Sequence, residues 1–454
     1  MARRHWPAWA NSRDFFDLLR LSGPVAISRA AVMCMALTDV IVLGRNATDE
    51  LPFILYAWLP IGIAIGGGTG ILLGVQVITS ELLGQNDERN SGRVFRRGLW
   101  FAILVGAIAT ALIVPTADWV FLAVDFKPEV AAASASVARI LAYGLIGHMI
   151  TTMCSMYLEA LRRPLIVTVI MYVGVAINVV FDLAFVAGWW GMPQLGADGV
   201  AIATTGTRWL LVVIFLIAVT WLTPAWSSSE TAPANEAKRQ FGVGGGTAIA
   251  NVAEWGGFNF TYIIAGWISE DVSTVYGLAI HVMGVAFMAF LGLGTASSVR
   301  VAERYGVGDL SGARDAAYLG VFTTLVVGTV LGLLAYLFRE QIAVLMLDKE
   351  GIPLREYLTA IMGFVAIAIV FDGLQNVASM SLRAQGFVWQ PTIVQFGAYL
   401  MVLLVTAYYL GFVQARGEQG MMEAVIIASV FASIGQIYLV IKKTAGRSSE
   451  QPAV

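Results

Sequence analysis

Four acidic side chains, Asp39, Asp182, Glu254 and Asp372, lie deep inside long apolar stretches of the sequence. An ionised carboxylate at membrane depth costs at least about 2.5–3.5 kcal/mol, so acids kept there mark a pathway or a coupling site for a mobile cation. Helical spacing groups their neighbours. Asp39 shares a face with Met35, Val32 and Ser28, and Asn178 lies one turn before Asp182. Glu254 has Asn251, Phe258 and Tyr262 on its face, and Asp372 has Gln375, Asn376 and Ser379.

The elements that must carry these residues are membrane helices. The chain has 454 residues, 58% hydrophobic and 13% charged, with a mean hydropathy of +0.76, far too apolar for a soluble protein of this size. Segments are measured against the roughly 20 apolar residues that cross a bilayer. Twelve are expected, near 16–44, 53–83, 95–124, 130–159, 164–188, 197–222, 242–269, 274–305, 313–346, 351–384, 388–412 and 420–442. The fold class is therefore an all-α polytopic membrane protein. Cys34 and Cys154 sit in apolar helices and suggest neither a disulfide framework nor a metal site. Arg3 and Arg4 precede no short apolar core with a small-residue cleavage site, so the start reads as retained protein.

Basic residues orient the bundle. One side collects Arg3, Arg4, Arg13, Arg20, Arg89, Arg93, Arg96, Arg97, Arg162 and Arg163. It continues with Lys238, Arg239, Arg304, Arg314, Arg383, Lys442, Lys443 and Arg447. The other side is acidic at Asp49–Glu50, Glu270–Asp271 and Asp348–Lys349–Glu350. Both termini are expected in the cytoplasm and the chain in the plasma (inner) membrane. A polar stretch, 223–241, has linker composition and divides the chain into 1–222 and 242–454, six helices each. A repeat supports the division. Glu81, Gly84, Asp87 and Gly98 recur as Glu303, Gly306, Asp309 and Gly320; Leu161-Arg162 recurs as Leu382-Arg383, and Gly196-x-x-Gly199 as Gly417-x-x-Gly420. Six helices return the chain to the same side, so the halves are parallel repeats about a pseudo-two-fold axis along the membrane normal, with a central cleft expected between them.

These landmarks carry a family resemblance. The loop after helix two and its copy after helix eight, Glu254 in helix seven, Asp372-x-x-Gln375 in helix ten, Ser297-Ser298-Val299-Arg300-Val301, and Phe185 to Thr205 with Pro193, Gly196, Gly199 and Ala203-Thr204 resemble multidrug and toxic compound extrusion (MATE) transporters, of the bacterial NorM-like and DinF-like branch. The resemblance covers about 14–440. It implies a two-lobed antiporter, not an enzyme, which expels organic, cationic, amphiphilic drugs in exchange for inward H⁺ or Na⁺. It places Asp39, Asn178 and Asp182 together in the N-lobe as the coupling-ion site, and Glu254 and Asp372 as the acids of the C-lobe. Two carboxylates sharing a poorly hydrated site resist ionising together, so one can hold a proton near neutrality. With an amide oxygen the pair also suits Na⁺, a hard cation that favours oxygen ligands.

Further residues have a bland and a functional reading. His148, Thr152, Ser155 and Glu159 form a polar stripe on helix four, a proton relay or hydrogen-bonded packing. Arg208 is expected to pair with a buried acid, Arg29 to snorkel, Glu81 to pair with the arginine cluster, and His281 to be structural. Met35, Asn251, Phe258, Tyr262, Met283, Phe287 and Gln375 are the candidates for substrate contact. Aromatic faces beside carboxylates suit flat lipophilic cations, and Met33, Met35, Met283 and Met288 add adaptable surface. Trp255, Phe260, Phe290 and Phe371 read equally as core or lipid contact. Gly66-Gly67-Gly68-x-Gly70 has no preceding strand and no Lys, so it is helix packing and not a phosphate loop. Pro24 and Pro60 should kink their helices, and Pro24 could let helix one bend when Asp39 changes charge. A lipid or lipid-linked oligosaccharide flippase is the alternative; such a protein wants a cationic cleft, whereas the mid-span excess here is acidic. No intramembrane catalytic constellation is present. The expected partners are small organic cations and the lipid bilayer, without a cofactor, nucleic acid or second copy.

Overall fold

The computed structural model describes residues 12–123, 128–227, 233, 235–347 and 352–447. Arg3, Arg4, the Ser228–Ala232 part of the linker-like stretch and Asp348–Lys349–Glu350 lie outside the described residues, as do the side chains of Arg13 and Arg447. Where no water reaches the backbone, each N–H and C=O must be paired within the segment, which for isolated apolar runs means helix. Twelve long helical segments result among the described residues, without a strand.

They are α1 (Ser12–Asn46), α2 (Leu51–Gly84), α3 (Ser91–Ala123), α4 (Pro128–Tyr143 and Leu145–Ala160), α5 (Pro164–Phe185) and α6 (Gly196–Leu222), then α7 (Glu236–Ile268), α8 (Glu270–Gly306), α9 (Leu310–Leu337), α10 (Ile352–Ala384), α11 (Trp389–Val413) and α12 (Gly417–Arg447). Ten are long and apolar enough to cross a bilayer, or eleven with the two parts of α4, bent by 43°, taken as one span. The remaining one, α7, is 33 residues long but opens on Glu236, Lys238 and Arg239 and carries Asn251, Glu254 and Asn259. Pro24 and Pro60 lie inside continuous helices. The α4 break falls at Gly144, where a Cβ would stand 3.0 Å from Thr205 Oγ1 and 3.2 Å from Arg208 Cδ.

The chain forms two compact units: Ser28–Ala248, here the N-terminal unit, and Met1–Ile27 with Ile249–Val454, the C-terminal unit. In the N-terminal unit α3 and α4 pack on one another and on α2, and α6 packs on α5 and α4. The start of α7 belongs here too. A Cβ on Gly74 would lie 2.0 Å from the Gln240 carbonyl oxygen, and one on Gly244 would lie 2.0 Å from that of Ile71. Arg93 donates to both Glu236 oxygens (Nη2 to Oε2 at 2.6 Å), and Arg97 donates to Gln240 at 2.9 Å. In the C-terminal unit α10 is central, packed against α8, α9 and α12.

The repeat is visible in local backbone geometry. Asn86 and Gly308, which occupy matching positions, both adopt positive φ (58° and 78°), and Gly196 and Gly417 both open their helices at φ 54°. Asp309 caps α9 by accepting the Gly312 N–H at 2.8 Å, and that bond holds its carboxyl below the usual carboxylate range.

Candidate functional site

The structure brings Asp39, Asn178 and Asp182 together in the N-terminal unit, all buried. One turn of α5 separates Asn178 from Asp182, and α1 sets Asp39 against both. Thr204 of α6 donates to Asp39 Oδ2 at 3.0 Å, and Thr38 donates to Asn178 Oδ1 at 3.3 Å. Among the described residues no donor reaches Asp39 Oδ1 or either oxygen of Asp182, and Asn178 Nδ2 has no acceptor. Three buried carboxylate oxygens without a donor suit positive charge, whether a proton shared between the two acids or a small cation.

A buried cation stands nearby but does not close this site. Arg208 faces Asp39 yet makes no ion pair among the described residues. Its guanidinium instead lies over Trp58, with Cζ 5.7 Å from the ring centroid, and Nη1 is unpartnered. The expected pairing of Arg208 with a buried acid is therefore replaced by an aromatic seat.

The polar stripe of α4 is mainly packing. Ser155 donates to the Thr151 carbonyl at 2.8 Å. Glu159 is fully buried and takes both its oxygens to Arg29 Nη2 at 3.0 Å. Arg29 is thus an ion-pair partner, not a snorkelling cation, because a buried carboxylate at this position needs a fixed counter-charge. His148 faces Arg29 and Arg208. Glu81 pairs with Arg239, as its place beside the arginine cluster suggests. His281 is exposed and bonds the Gly277 carbonyl of its own helix at 2.8 Å.

In the C-terminal unit, Asp372, Gln375, Ser379 and Arg383 form one stripe along α10, all buried. Gln375 Nε2 donates to Glu254 Oε1 at 3.1 Å and to Asp372 Oδ1 at 3.4 Å. Gln395 Nε2 donates to Glu254 Oε2 at 3.1 Å, and Tyr399 donates to Asp372 Oδ1 at 3.2 Å. Arg383, one of the basic residues counted toward the cytoplasmic side, is 2% exposed and bonded to Gln395 and Ser379, because its stem continues the buried stripe of α10. Neither Glu254 nor Asp372 forms an ion pair among the described residues.

The substrate-contact candidates separate. Met35 lies in the N-terminal unit, packed at Gly174 of α5. The other six lie in the C-terminal unit. Met283 is buried core, with Phe258, Tyr262 and Phe287 packed against that core. The Phe258 ring meets Tyr399 at 5.5 Å between centroids, so it touches the group that serves Asp372. Gln375 is buried between the two acids, and Asn251 is half-buried one turn before Glu254. Trp255 and Phe260 are exposed and Phe290 is core. Thr204, Gln395 and Tyr399 were not anticipated. For Tyr399 a signal existed only in the fold: it lies in a π-helical turn of α11, Gly397–Val402, whereas Gln395 lies in the regular α-helical turns before it. No group of three or more His, Cys, Asp or Glu that could hold a metal occurs among the described residues.

The MatE family model matches residues 24–184 and 247–409. The chain is 30% identical over 430 residues to a probable multidrug resistance protein NorM of Caulobacter vibrioides, covering 92% of this chain and 90% of that protein. It is 25% identical over 436 residues to multidrug resistance protein PmpM of Pseudomonas aeruginosa, covering 92% of this chain and 89% of that protein. The fold superposes with a TM-score of 0.88 on an outward-facing multidrug resistance MATE family transporter at 17% identity, covering 96% of this chain and 97% of the other. For the eukaryotic MATE transporter AtDTX14 the TM-score is 0.86 at 19% identity, covering 96% and 98%. A polytopic helical chain that matches this model and these relatives along nearly its whole length is a transporter, not an enzyme, and belongs to the MATE family.

Proposed function

We propose that this protein is a secondary active multidrug antiporter of the inner membrane, with cytoplasmic termini. It exports amphiphilic organic cations in exchange for inward H⁺ or Na⁺. The observation that carries the coupling site is the donor-free state of Asp39 Oδ1 and both Asp182 oxygens in a buried, unpaired cluster. Those orphaned oxygens support Asp39, Asn178 and Asp182 as the coupling-ion site, with the acids and the amide oxygen as ligands when Na⁺ is the ion. Glu254 and Asp372 form the second exchange site, its aromatic border at Phe258 and Tyr399 suited to a flat cation. The named relatives, multidrug resistance proteins, support the substrate class.

The physics of exchange is charge balance. A bundle holding an uncompensated carboxylate resists dehydration, and neutralisation by either species lowers that cost. The membrane potential adds about 2.3 kcal/mol per charge moved across 100 mV. Asp39→Asn and Asp372→Asn should each cripple efflux of ethidium from cells while leaving the amount of protein in the membrane unchanged. Full efflux by both variants would remove the site assignment. Liposomes with pH and Na⁺ gradients imposed separately then identify the ion.

A further inference from the structure

Arg383 and the two glutamines beside it form a directed chain. A guanidinium carries N–H donors and no acceptor. Arg383 Nη2 donates to Gln395 Oε1 at 2.6 Å, and Nη1 donates to Ser379 Oγ. Ser379 passes its own proton to the same Gln395 oxygen at 3.3 Å. With its carbonyl so committed, Gln395 has only its NH₂ to offer the other side. That NH₂ reaches Glu254 Oε2 and Gln375 Oε1, each at 3.1 Å. Gln375, its oxygen now occupied, turns its own NH₂ to Glu254 Oε1 and Asp372 Oδ1. Tyr399 closes the far end by donating to Asp372 Oδ1. Reversing either amide would set a carbonyl against a carboxylate and NH₂ against a guanidinium or another NH₂.

The charged and titratable groups facing one another here are Glu254, Asp372, Arg383 and Tyr399, with Ser429 of α12 beside the Tyr399 hydroxyl. Among the described residues no charged group of α8, α9 or α12 acts on the cluster. Arg383 is 2% exposed and hydrogen-bonds neither acid; its bonded link to them runs through Gln395, beside the direct field of its charge on Glu254.

We propose that Arg383 is a positioning residue for cation exchange: its donor-only guanidinium fixes the direction of Gln395 and Gln375, so that their N–H groups face Glu254 and Asp372 and favour the charged form of these acids, the form that takes up a mobile cation. This rests on the reading of Glu254 and Asp372 as exchange acids. Hydrogen bonds donated to a carboxylate favour its charged form, and an amide free to flip can offer a carbonyl that favours the protonated form. Removing the guanidinium also removes positive charge, which acts in the same direction.

The test uses the full-length protein in liposomes, comparing wild type, Arg383→Met, Arg383→Lys and Gln395→Met, with Glu254→Gln to assign the infrared carboxyl band. Two readouts are followed against pH: that band, and ethidium transport. Arg383→Met should shift the midpoint of the Glu254-dependent band to higher pH by about one unit, a roughly tenfold change in proton affinity. The transport profile should move with it. Arg383→Lys, still donor-only, should stay near wild type, and Gln395→Met, which cuts the relay with Arg383 present, should shift as Arg383→Met does. Coincidence of Arg383→Met with wild type, or of Arg383→Lys with Arg383→Met, overturns the proposal. Should Arg383→Met fail to fold, Arg383→Gln, which can offer Gln395 a carbonyl as well as an NH₂, takes its place against Arg383→Lys: a shift of the former alone supports the relay and coincidence of the two overturns it. Full transport by Glu254→Gln and Asp372→Asn would instead defeat the exchange reading, while the infrared comparison still reports the amide direction.

Discussion

At the scale of single residues, the distinction that matters is between acids held in an ion pair and acids that are not. Glu159 is paired with Arg29, whereas Asp39, Asp182, Glu254 and Asp372 form no ion pair among the described residues, although Arg208 and Arg383 stand near Asp39 and Glu254. Removing one partner of a buried pair leaves an uncompensated charge, which costs on the order of 3 kcal/mol, while replacing both by apolar groups is close to neutral. Arg29→Met should therefore lower the melting temperature of the detergent-purified protein markedly, and Arg29→Met with Glu159→Met should recover most of the loss. A double variant as unstable as the single one would show that the pair is not a unit. Much of this was legible in the sequence. The four acids stood out by depth, and i, i+4 spacing put Asn178 on the face of Asp182. What sequence could not give was the partner of each charge: Arg29 and Glu159 are 130 positions apart, and whether Arg208 meets a carboxylate or the Trp58 ring depends on packing between helices.

At the scale of elements, small residues decide how closely helices approach. Without a hydrophobic drive between helices in lipid, association depends on close packing, and glycine permits it. The beginning of α7 shows this within a single turn. Gly244 lies against the Ile71 carbonyl oxygen, where a Cβ would stand at 2.0 Å, whereas Gly242 has open space. Gly244→Ala must push α7 off α2 and should destabilise by about 1–3 kcal/mol as an overpacking change. Gly242→Ala removes a helix-weakening residue and should gain up to about 1 kcal/mol. Thermal unfolding of the two variants checks the pair; equal effects would mean that α7 does not pack as described. The glycine run Gly66 to Gly70 of α2 reads as packing from composition, yet composition names no partner: Gly68 meets Met149 of α4 and Gly70 meets Thr247 and Ala248 of α7, while the first turns of α7 lie against Gly74. Those turns look like linker, with Glu236, Lys238 and Arg239, and are helical because Arg93 and Arg97 neutralise Glu236. The π-helical turn that holds Tyr399 leaves no mark in the apolar pattern, and the approach of Gln395 to Glu254, 141 positions away, depends on packing between helices.

At the scale of the whole molecule, the repeat and the charge asymmetry are the two long-range features that sequence carries. The repeat survives as backbone geometry at Asn86 and Gly308 and at Gly196 and Gly417, yet it does not copy environments: Arg162 is exposed whereas its counterpart Arg383 is buried. The charge asymmetry predicts sidedness. In the N-terminal unit the arginines of the α2–α3, α4–α5 and α6–α7 connections gather with acids of the same connections, as in Arg163 with Glu88 and Arg93 with Glu236. The opposite connections carry little positive charge, Arg139 being paired with Asp118. Loops rich in Arg stay in the cytoplasm, so a single cysteine at Trp190, in the α5–α6 connection and 72% exposed, should react with a membrane-impermeant maleimide in intact cells. One at Glu88 should react only after permeabilisation. Both belong in a Cys34→Ala, Cys154→Ala background, the natural cysteines being free. The reverse pattern would invert the protein in the membrane, and the coupling ion, which must enter down its gradient, would then leave through the face assigned to its arrival.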